Sequence, residues 1–308
     1  MPLVHRRTAL WTLAATGMGP ASAADLTKLI VPGPPGGTLD VVAQWLAASL
    51  KRDGVLAVPD YHSGGLGTLG VHTLLKAPLD GRALLIHING IVTEVPAVSP
   101  QRYDPHRDIH PLAELARGGL VLVVPSSPPI RRFADLGPWA RGLGREVLAA
   151  NYGQGTTSSW LPEQLAKQQG WRVNTIAYRG SPPALQELLG GHTDLMFDAP
   201  LTSLPHIRAG TLRALAVTTP QRLPALPEVP TLAELGLPTL TRTVWLGAWV
   251  QAGLPEAHRA TWRAALRRAF DTPEARERWA RFGMQPGDLT LGTEALQQRL
   301  RREALPPN

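Results

Sequence analysis

From Leu26 onward, short apolar runs alternate with longer segments whose apolar residues recur every three to four positions. That alternation predicts βα units stacked on parallel sheets. Residues 28–31 read as a first strand, closed by Pro32-Gly33-Pro34-Pro35-Gly36-Gly37. Leu39, Val42, Leu46 and Leu50 then mark one face of a helix that ends near Gly54. Further strands are predicted at 83–89, 120–124, 147–150, 173–178, 195–197, 212–218 and 245–250. A helix after 178 takes Ser181 as its N-cap, Pro182 as its first residue, and Gly190-Gly191 as its end. Leu204 and Ile207 pack another that stops at Gly210, and 255–282 reads as helical.

Between 220 and 238 the chain is rich in proline. A chain that builds one lobe, crosses to a second and returns to finish the first accounts for this order, with crossings expected near 124 and 219. The predicted organisation is a leader at 1–24, a first lobe from 25–124 and 219–308, and a second lobe from 125–218.

The leader changes the picture of where the protein works. His5-Arg6-Arg7 precedes an apolar stretch from Thr8 to about Met18, then Ala21-Ser22-Ala23-Ala24. A basic start, a short apolar run and small residues at the A-x-A positions predict a signal peptide cut after Ala23 or Ala24. The apolar run is too short to span a bilayer, and no later stretch offers the roughly 20 apolar residues a span needs. The expected location is the periplasm, and export by the general route is favoured over the twin-arginine route that Arg6-Arg7 only partly matches.

With 308 residues, 44% hydrophobic and 18% charged, the chain suits two soluble domains. The formal net charge of +7 falls by two once Arg6 and Arg7 are removed, a mild excess that favours anionic solutes. Arginine is spread along the chain, densest between Arg259 and Arg281 around Trp262, Leu266 and Phe270. That spacing describes the solvated face of helices, not a nucleic-acid surface. Cysteine is absent, which excludes disulfides, thiolate metal sites, thiol catalysis and a lipoprotein anchor.

The candidate chemistry lies in three Gly-rich turns after predicted strands. Pro35-Gly36-Gly37-Thr38, Gly155-Thr156-Thr157 and Tyr178-Arg179-Gly180-Ser181 each open a helix. In α/β sheets ligands gather at the carboxyl ends of strands, where helix starts offer unpaired N–H groups and partial positive charge. Each turn serves equally well as simple structural punctuation. Asp198, ending its strand, and Asp40, in a first helical turn, are the cleft acids, and Asp40 also suits a purely structural role at a helix start. His106 and His110 have helical metal-site spacing, but Pro105 and Pro111 bracket them. No nucleophile elbow, Walker loop, zinc helix or dinucleotide fingerprint is present. No cofactor and no metal are expected.

Read in order, further segments carry a resemblance. They include Pro34-Pro35-Gly36-Gly37-Thr38-Leu39-Asp40, Gly64-Gly65-Leu66-Gly67-Thr68-Leu69-Gly70, Lys76-Ala77-Pro78-Leu79-Asp80-Gly81 and Tyr103-Asp104-Pro105. They continue through Leu188-Leu189-Gly190-Gly191, Asp194-Leu195-Met196-Phe197-Asp198, Leu204-Pro205-His206-Ile207-Arg208-Ala209-Gly210 and Leu226-Pro227-Glu228-Val229-Pro230-Thr231. The chain resembles the Bug-type (TctC-like) extracytoplasmic receptors of tripartite tricarboxylate transporters over nearly all of its mature length. The resemblance implies an α/β, two-lobed type II periplasmic-binding-protein fold that closes by hinge motion, and a monomeric receptor, not an enzyme.

It implies a small organic acid as ligand: a di- or tricarboxylate, an acidic amino acid or an aromatic acid. Membrane permease subunits are the implied partners, and nucleic acid is not. The implied ligand-binding residues are Pro35, Gly36, Gly37, Thr38, Gly155, Thr156, Thr157, Tyr178, Arg179, Gly180, Ser181 and Asp198, acting mainly through backbone amides. Trp160-Leu161-Pro162, Tyr61-His62-Ser63 and Leu66 depart from the family pattern, and Pro162 fits a helix only in its first turn. A secreted α/β hydrolase or lyase for a small organic acid is the competing reading.

Overall fold

Two sheets form in the computed structural model, which describes residues 26–303. The expected leader and its expected cleavage point fall outside the described residues. The first lobe begins with β1 (Thr27–Val31), α1 (Thr38–Arg52), β2 (Ala57–Tyr61), α2 (Thr68–Lys76) and β3 (Ala83–Ile88). Two short helical turns, α3 (Gly90–Thr93) and α4 (Val95–Val98), lead to the long strand β4 (Ile109–Gly118). The second lobe runs β5 (Val121–Pro125), α5 (Phe133–Gly142), β6 (Val147–Asn151), α6 (Thr157–Gln169), β7 (Val173–Ala177) and α7 (Ser181–Leu189). It continues with β8 (Leu195–Asp198), α8 (Pro200–Arg208) and β9 (Leu212–Val217). The chain then returns as β10 (Val244–Gln251), α9 (Glu256–Phe270), α10 (Pro273–Arg281), β11 (Gln285–Pro286) and α11 (Thr293–Glu303).

Strand order is β11-β4-β10-β3-β1-β2 in one sheet and β7-β6-β8-β5-β9 in the other. The βα strands pair in parallel: β1 with β2 and β3, and β6 with β7 and β8. The strands that enter or re-enter a lobe pair antiparallel, β10 with β3 and β4, and β5 with β8 and β9. The sheets are therefore mixed where the pattern predicted parallel ones, because these strands arrive from the other lobe without a crossover helix. Both faces of each sheet are covered, which explains runs of apolar residues in place of alternation. Leu29 and Val31 pack with Leu46, Trp262, Phe270 and Trp279 on one face. Ile30 packs with Val71, Trp245 and Trp249 on the other.

Both expected crossings are corrected. β5 belongs to the second sheet, so the first passage lies at 118–120, ahead of 124. The proline-rich stretch belongs to the second lobe's core, not the first: Leu223, Leu226 and Val229 pack beneath Leu185, Leu188 and Leu204. Leu232, Leu237 and Leu240 pack against Leu161, Leu165 and Phe197. The chain returns only at 241–243.

One threonine ties these two passages together. Leu120 N–H donates to Thr218 Oγ1 (2.8 Å) and Thr218 N–H to Leu120 O (2.9 Å). Thr218 Oγ1 donates to Arg242 O (2.9 Å), and Arg242 N–H to Thr218 O (2.8 Å). Gly119 beside it has no room for a side chain, since a Cβ there would stand 2.5 Å from Thr218 Oγ1.

Candidate functional site

The first turn is closed by Asp40. Gly36, at φ +79°, donates its N–H to Asp40 Oδ2 at 2.7 Å. Tyr61 Oη donates to Asp40 Oδ1 (2.7 Å) and Gln44 Nε2 to the same oxygen (2.9 Å). Asp40 is thus the brace of the turn, and the Gly36 amide is already used. Burial, then Asp40, raises the Tyr61 phenol above its ordinary pKa. Pro35 and Gly36 are exposed, whereas Gly37 is buried. Thr38 Oγ1, at the start of α1, is buried and makes no hydrogen bond.

The second turn is also largely self-contained. Gly153 N–H donates to Asn151 Oδ1 (2.9 Å), Gly155 N–H to Ser159 Oγ (2.7 Å) and Thr156 Oγ1 to Gly153 O (2.6 Å). Thr157 reaches across to the first lobe instead. Its N–H donates to Glu94 Oε2 (2.9 Å) and its hydroxyl to Glu94 Oε1 (2.5 Å). Burial raises the Glu94 pKa, while the Thr157 bonds and the Arg242 charge lower it. Asn151 is fully buried at the end of β6, and its Nδ2 has no partner. Tyr152 is half-buried near both Asp198 and Glu94; desolvation and those charges hold its phenol well above the ordinary range.

In the third turn the N-cap is Gly180, at φ +116°, and Ser181 is the first residue of α7. The helix therefore begins one residue earlier than Ser181 as N-cap requires, because glycine readily takes the φ that the turn needs. Pro182 and Pro183 follow, so this helix start lacks two of its N–H donors. Ser181 Oγ donates to Asp198 Oδ1 (2.6 Å) and Thr202 Oγ1 to Asp198 Oδ2 (2.7 Å). Burial pushes the Asp198 carboxyl up to about 6 against those bonds. Asp198 holds Ser181 in place. Tyr178 turns its hydroxyl toward Glu187 on the flank of α7, and Arg179 is exposed.

Across the seam the turns of the two lobes touch. A Cβ on Gly37 would stand 3.7 Å from Pro182 Cδ, and one on Gly180 would stand 2.6 Å from Pro34 Cδ. A Cβ on Gly153 would lie 2.7 Å from Leu66 Cδ2, and one on Gly155 would lie 2.3 Å from Val98 Cγ1. Glycine at these positions lets the backbone of one lobe approach side chains of the other. Leu66, which replaces a glycine of the family pattern, is the one non-glycine at positive φ (+56°) among the described residues, and it reaches the second lobe. Pro162 lies inside α6, beyond its first turn, against the expectation from helix starts. Trp160 carries the Arg242 guanidinium 4.2 Å from its ring centre.

The structure thus brings Gly37, Thr38, Gly155, Thr156, Thr157, Gly180, Ser181 and Asp198 to one seam. Glu94, Asn151, Tyr152 and Arg242 join them without having been singled out in the sequence. Glu94 sits between two single-turn helices where no periodicity marks it. Asn151 directly precedes a Gly-rich turn, which was its available signal. Two open grooves, about 560 and 320 Å³, lie elsewhere, one along β9 and Arg131, the other between α8 and α10. Among the described residues no cluster of His, Asp or Glu side chains is placed to hold a metal ion.

Comparison with known proteins bears on what such a seam does. The sequence profile described as tripartite tricarboxylate transporter family receptor matches residues 42–298. The protein BugT of Bordetella pertussis is 31% identical over 229 residues, 73% of this chain and 70% of BugT. Rpa4515 of R. palustris, solved with adipate, superposes with a TM-score of 0.85 at 29% identity, covering 92% of this chain and 95% of that one. MatC from Rhodopseudomonas palustris, solved with bound malate, gives 0.82 at 27% identity over 90% of this chain and 96% of its own.

Proposed function

Because the chain belongs to the tripartite tricarboxylate transporter family of receptors, we propose that it captures a small organic acid in the periplasm by closing its lobes over it. It is a binding protein, not an enzyme. The observation that carries this reading is the seam, where the Gly-rich turns after β1 and β7 pack against each other and the turn after β6 packs against Leu66 and Val98 of the first lobe. Closure there would exclude water and strengthen each hydrogen bond to an anion.

Within the seam, the start of α1 is the best-suited carboxylate anchor. Its first N–H groups and dipole favour an anion, and the buried Thr38 hydroxyl next to them is uncommitted. Asn151 Nδ2 supplies a second uncommitted donor. Gly37 lets Pro182 of the facing turn pack against the α1 start, and Asp198 presents Ser181 at that facing turn. Of the twelve residues read from the sequence, Gly36, Gly155 and Thr156 shape their turns through bonds of their own, and Thr157 engages Glu94. An exported protein of this design hands its ligand to membrane permease subunits.

Titration calorimetry of the mature protein against organic acids tests the proposal. Saturable one-to-one binding of an acid, weakened about tenfold or more by Thr38→Ala, is the expected result. Turnover of an acid, or binding that ignores Thr38, refutes it.

A further inference from the structure

We propose that Glu94 makes this receptor select monocarboxylates over dicarboxylates, because its own carboxylate fills the start of α6 that a second ligand carboxylate would use. The inference rests on the receptor reading and narrows its ligand class. Glu94 belongs to the first lobe, between α3 and α4, yet it is bonded to the second lobe through the Thr157 N–H and hydroxyl. Both of its oxygens are engaged, and the residue is 6% exposed. A carboxylate that accepts from a helix-start N–H and a neighbouring hydroxyl is the arrangement a bound acid would make. Here the chain makes it with itself.

The space around Glu94 is built for it. A Cβ on Gly90 would stand 3.2 Å from Glu94 Cδ, so glycine there leaves the side chain its path. Two acidic groups, Glu94 and Asp198, lie near the half-buried Tyr152. The nearest cation, Arg242, donates its NH1 to Thr239 O (3.1 Å) and Thr241 O (2.7 Å) and stacks on Trp160. Its charge already acts on Glu94 before any ligand arrives. The α7 start, with its two prolines, offers little in exchange. At α1, where Asp40 braces the turn, the Thr38 hydroxyl is uncommitted, whereas the α6 start is already occupied by the Glu94 carboxyl group. A ligand with one carboxylate and a neutral or hydroxyl-bearing far end meets no repulsion there. A second carboxylate within a few ångströms of Glu94 does, at low dielectric.

The test is a panel of short-chain and aromatic acids, titrated into wild type and Glu94→Gln at neutral pH. The panel includes matched pairs such as adipate with 6-hydroxyhexanoate and malate with 3-hydroxybutyrate. Glutamine keeps the shape and can still accept from the Thr157 N–H while removing the charge. The expected result is that wild type binds its best monocarboxylate more tightly than the matched dicarboxylate. In Glu94→Gln the dicarboxylate should then gain about tenfold, with the monocarboxylate little changed. Glu94→Ala, which leaves the α6 start free, should favour the dicarboxylate at least as much; urea melts of both variants report whether the fold survives. Tightest wild-type binding to a dicarboxylate, or equal shifts for both classes in both variants, overturns the inference and leaves the receptor reading standing. Binding of no acid by wild type overturns both.

Discussion

Gly155→Ala separates what a turn needs to fold from what the seam needs to close. Gly155 has φ +79°, and Gly170, at the other end of α6, has φ +69°. Alanine at either position pays a left-handed backbone penalty of about 1 kcal/mol. At Gly170 a Cβ meets nothing within 4 Å. At Gly155 it would stand 2.3 Å from Val98 Cγ1 and 2.6 Å from Val98 Cβ, both on the first lobe. Carbon atoms settle at roughly 3.5 to 4.0 Å, so the lobes must separate by an ångström or more, and opening removes the clash without unfolding anything. A carboxylate held by donors from both lobes then loses at least one charge-assisted hydrogen bond, about 1.5 to 3 kcal/mol, which is tenfold or more in Kd. Urea denaturation should give similar losses of stability for the two variants. Calorimetry should give weakened binding for Gly155→Ala alone, and small-angle scattering with ligand should show it more expanded than wild type. Equal affinities, or an equal loss in Gly170→Ala, would refute the closure argument.

Other consequences follow from buried carboxylates. Asp198, held near 6 in the fold against an ordinary 3.8, binds its proton more tightly folded than unfolded, so this group's contribution falls as pH rises from about 4 through 6. The penalty approaches about 3 kcal/mol at neutral pH. Asp198→Asn should therefore gain on wild type at pH 7.5, and the gain should shrink by about 1 kcal/mol at pH 5, as read from urea melts. His87, buried and lowered to about 4, works in the opposite sense, since its contribution is lost as pH falls from about 6.5 toward 4, but it cancels in the comparison. A pH-independent difference would contradict the burial of Asp198. Asp40→Ala frees the Gly36 N–H and the Tyr61 hydroxyl and should cost about 2 kcal/mol of stability, with Asp40→Asn recovering part of it in thermal melts.

Much of this molecule was legible from periodicity. The apolar spacing of Val42, Leu46 and Leu50 reported α1 because those residues all face one core. β4 was not legible, because a central strand with Pro111 and a charged residue contradicts the usual signals. The structure resolves both. A register irregularity in β10 between Ala248 and Trp249 lies where Trp249 faces Pro111. The fully buried Glu114 is neutralised by Arg117 (2.6 Å) and Arg299, the latter from α11 far along the chain. The site was half legible for a similar reason. Glycine marks a turn in the sequence, but whether its amide is free depends on side chains several residues on, as Asp40 and Ser159 show. Glu94 was invisible because its meaning comes from a helix 63 residues away.

The bonds that bind both passages to Thr218 also govern the order of events during capture. Two independent tethers would let the lobes twist, slide and splay, and a ligand could leave past any edge. Fastened side by side, they leave essentially one swing. In the receptor proposed above, the lobes would then part by hinging about Thr218, and the residence time of an acid would follow how often that motion occurs, so loosening the fastening at Thr218 would speed release even with every ligand contact intact.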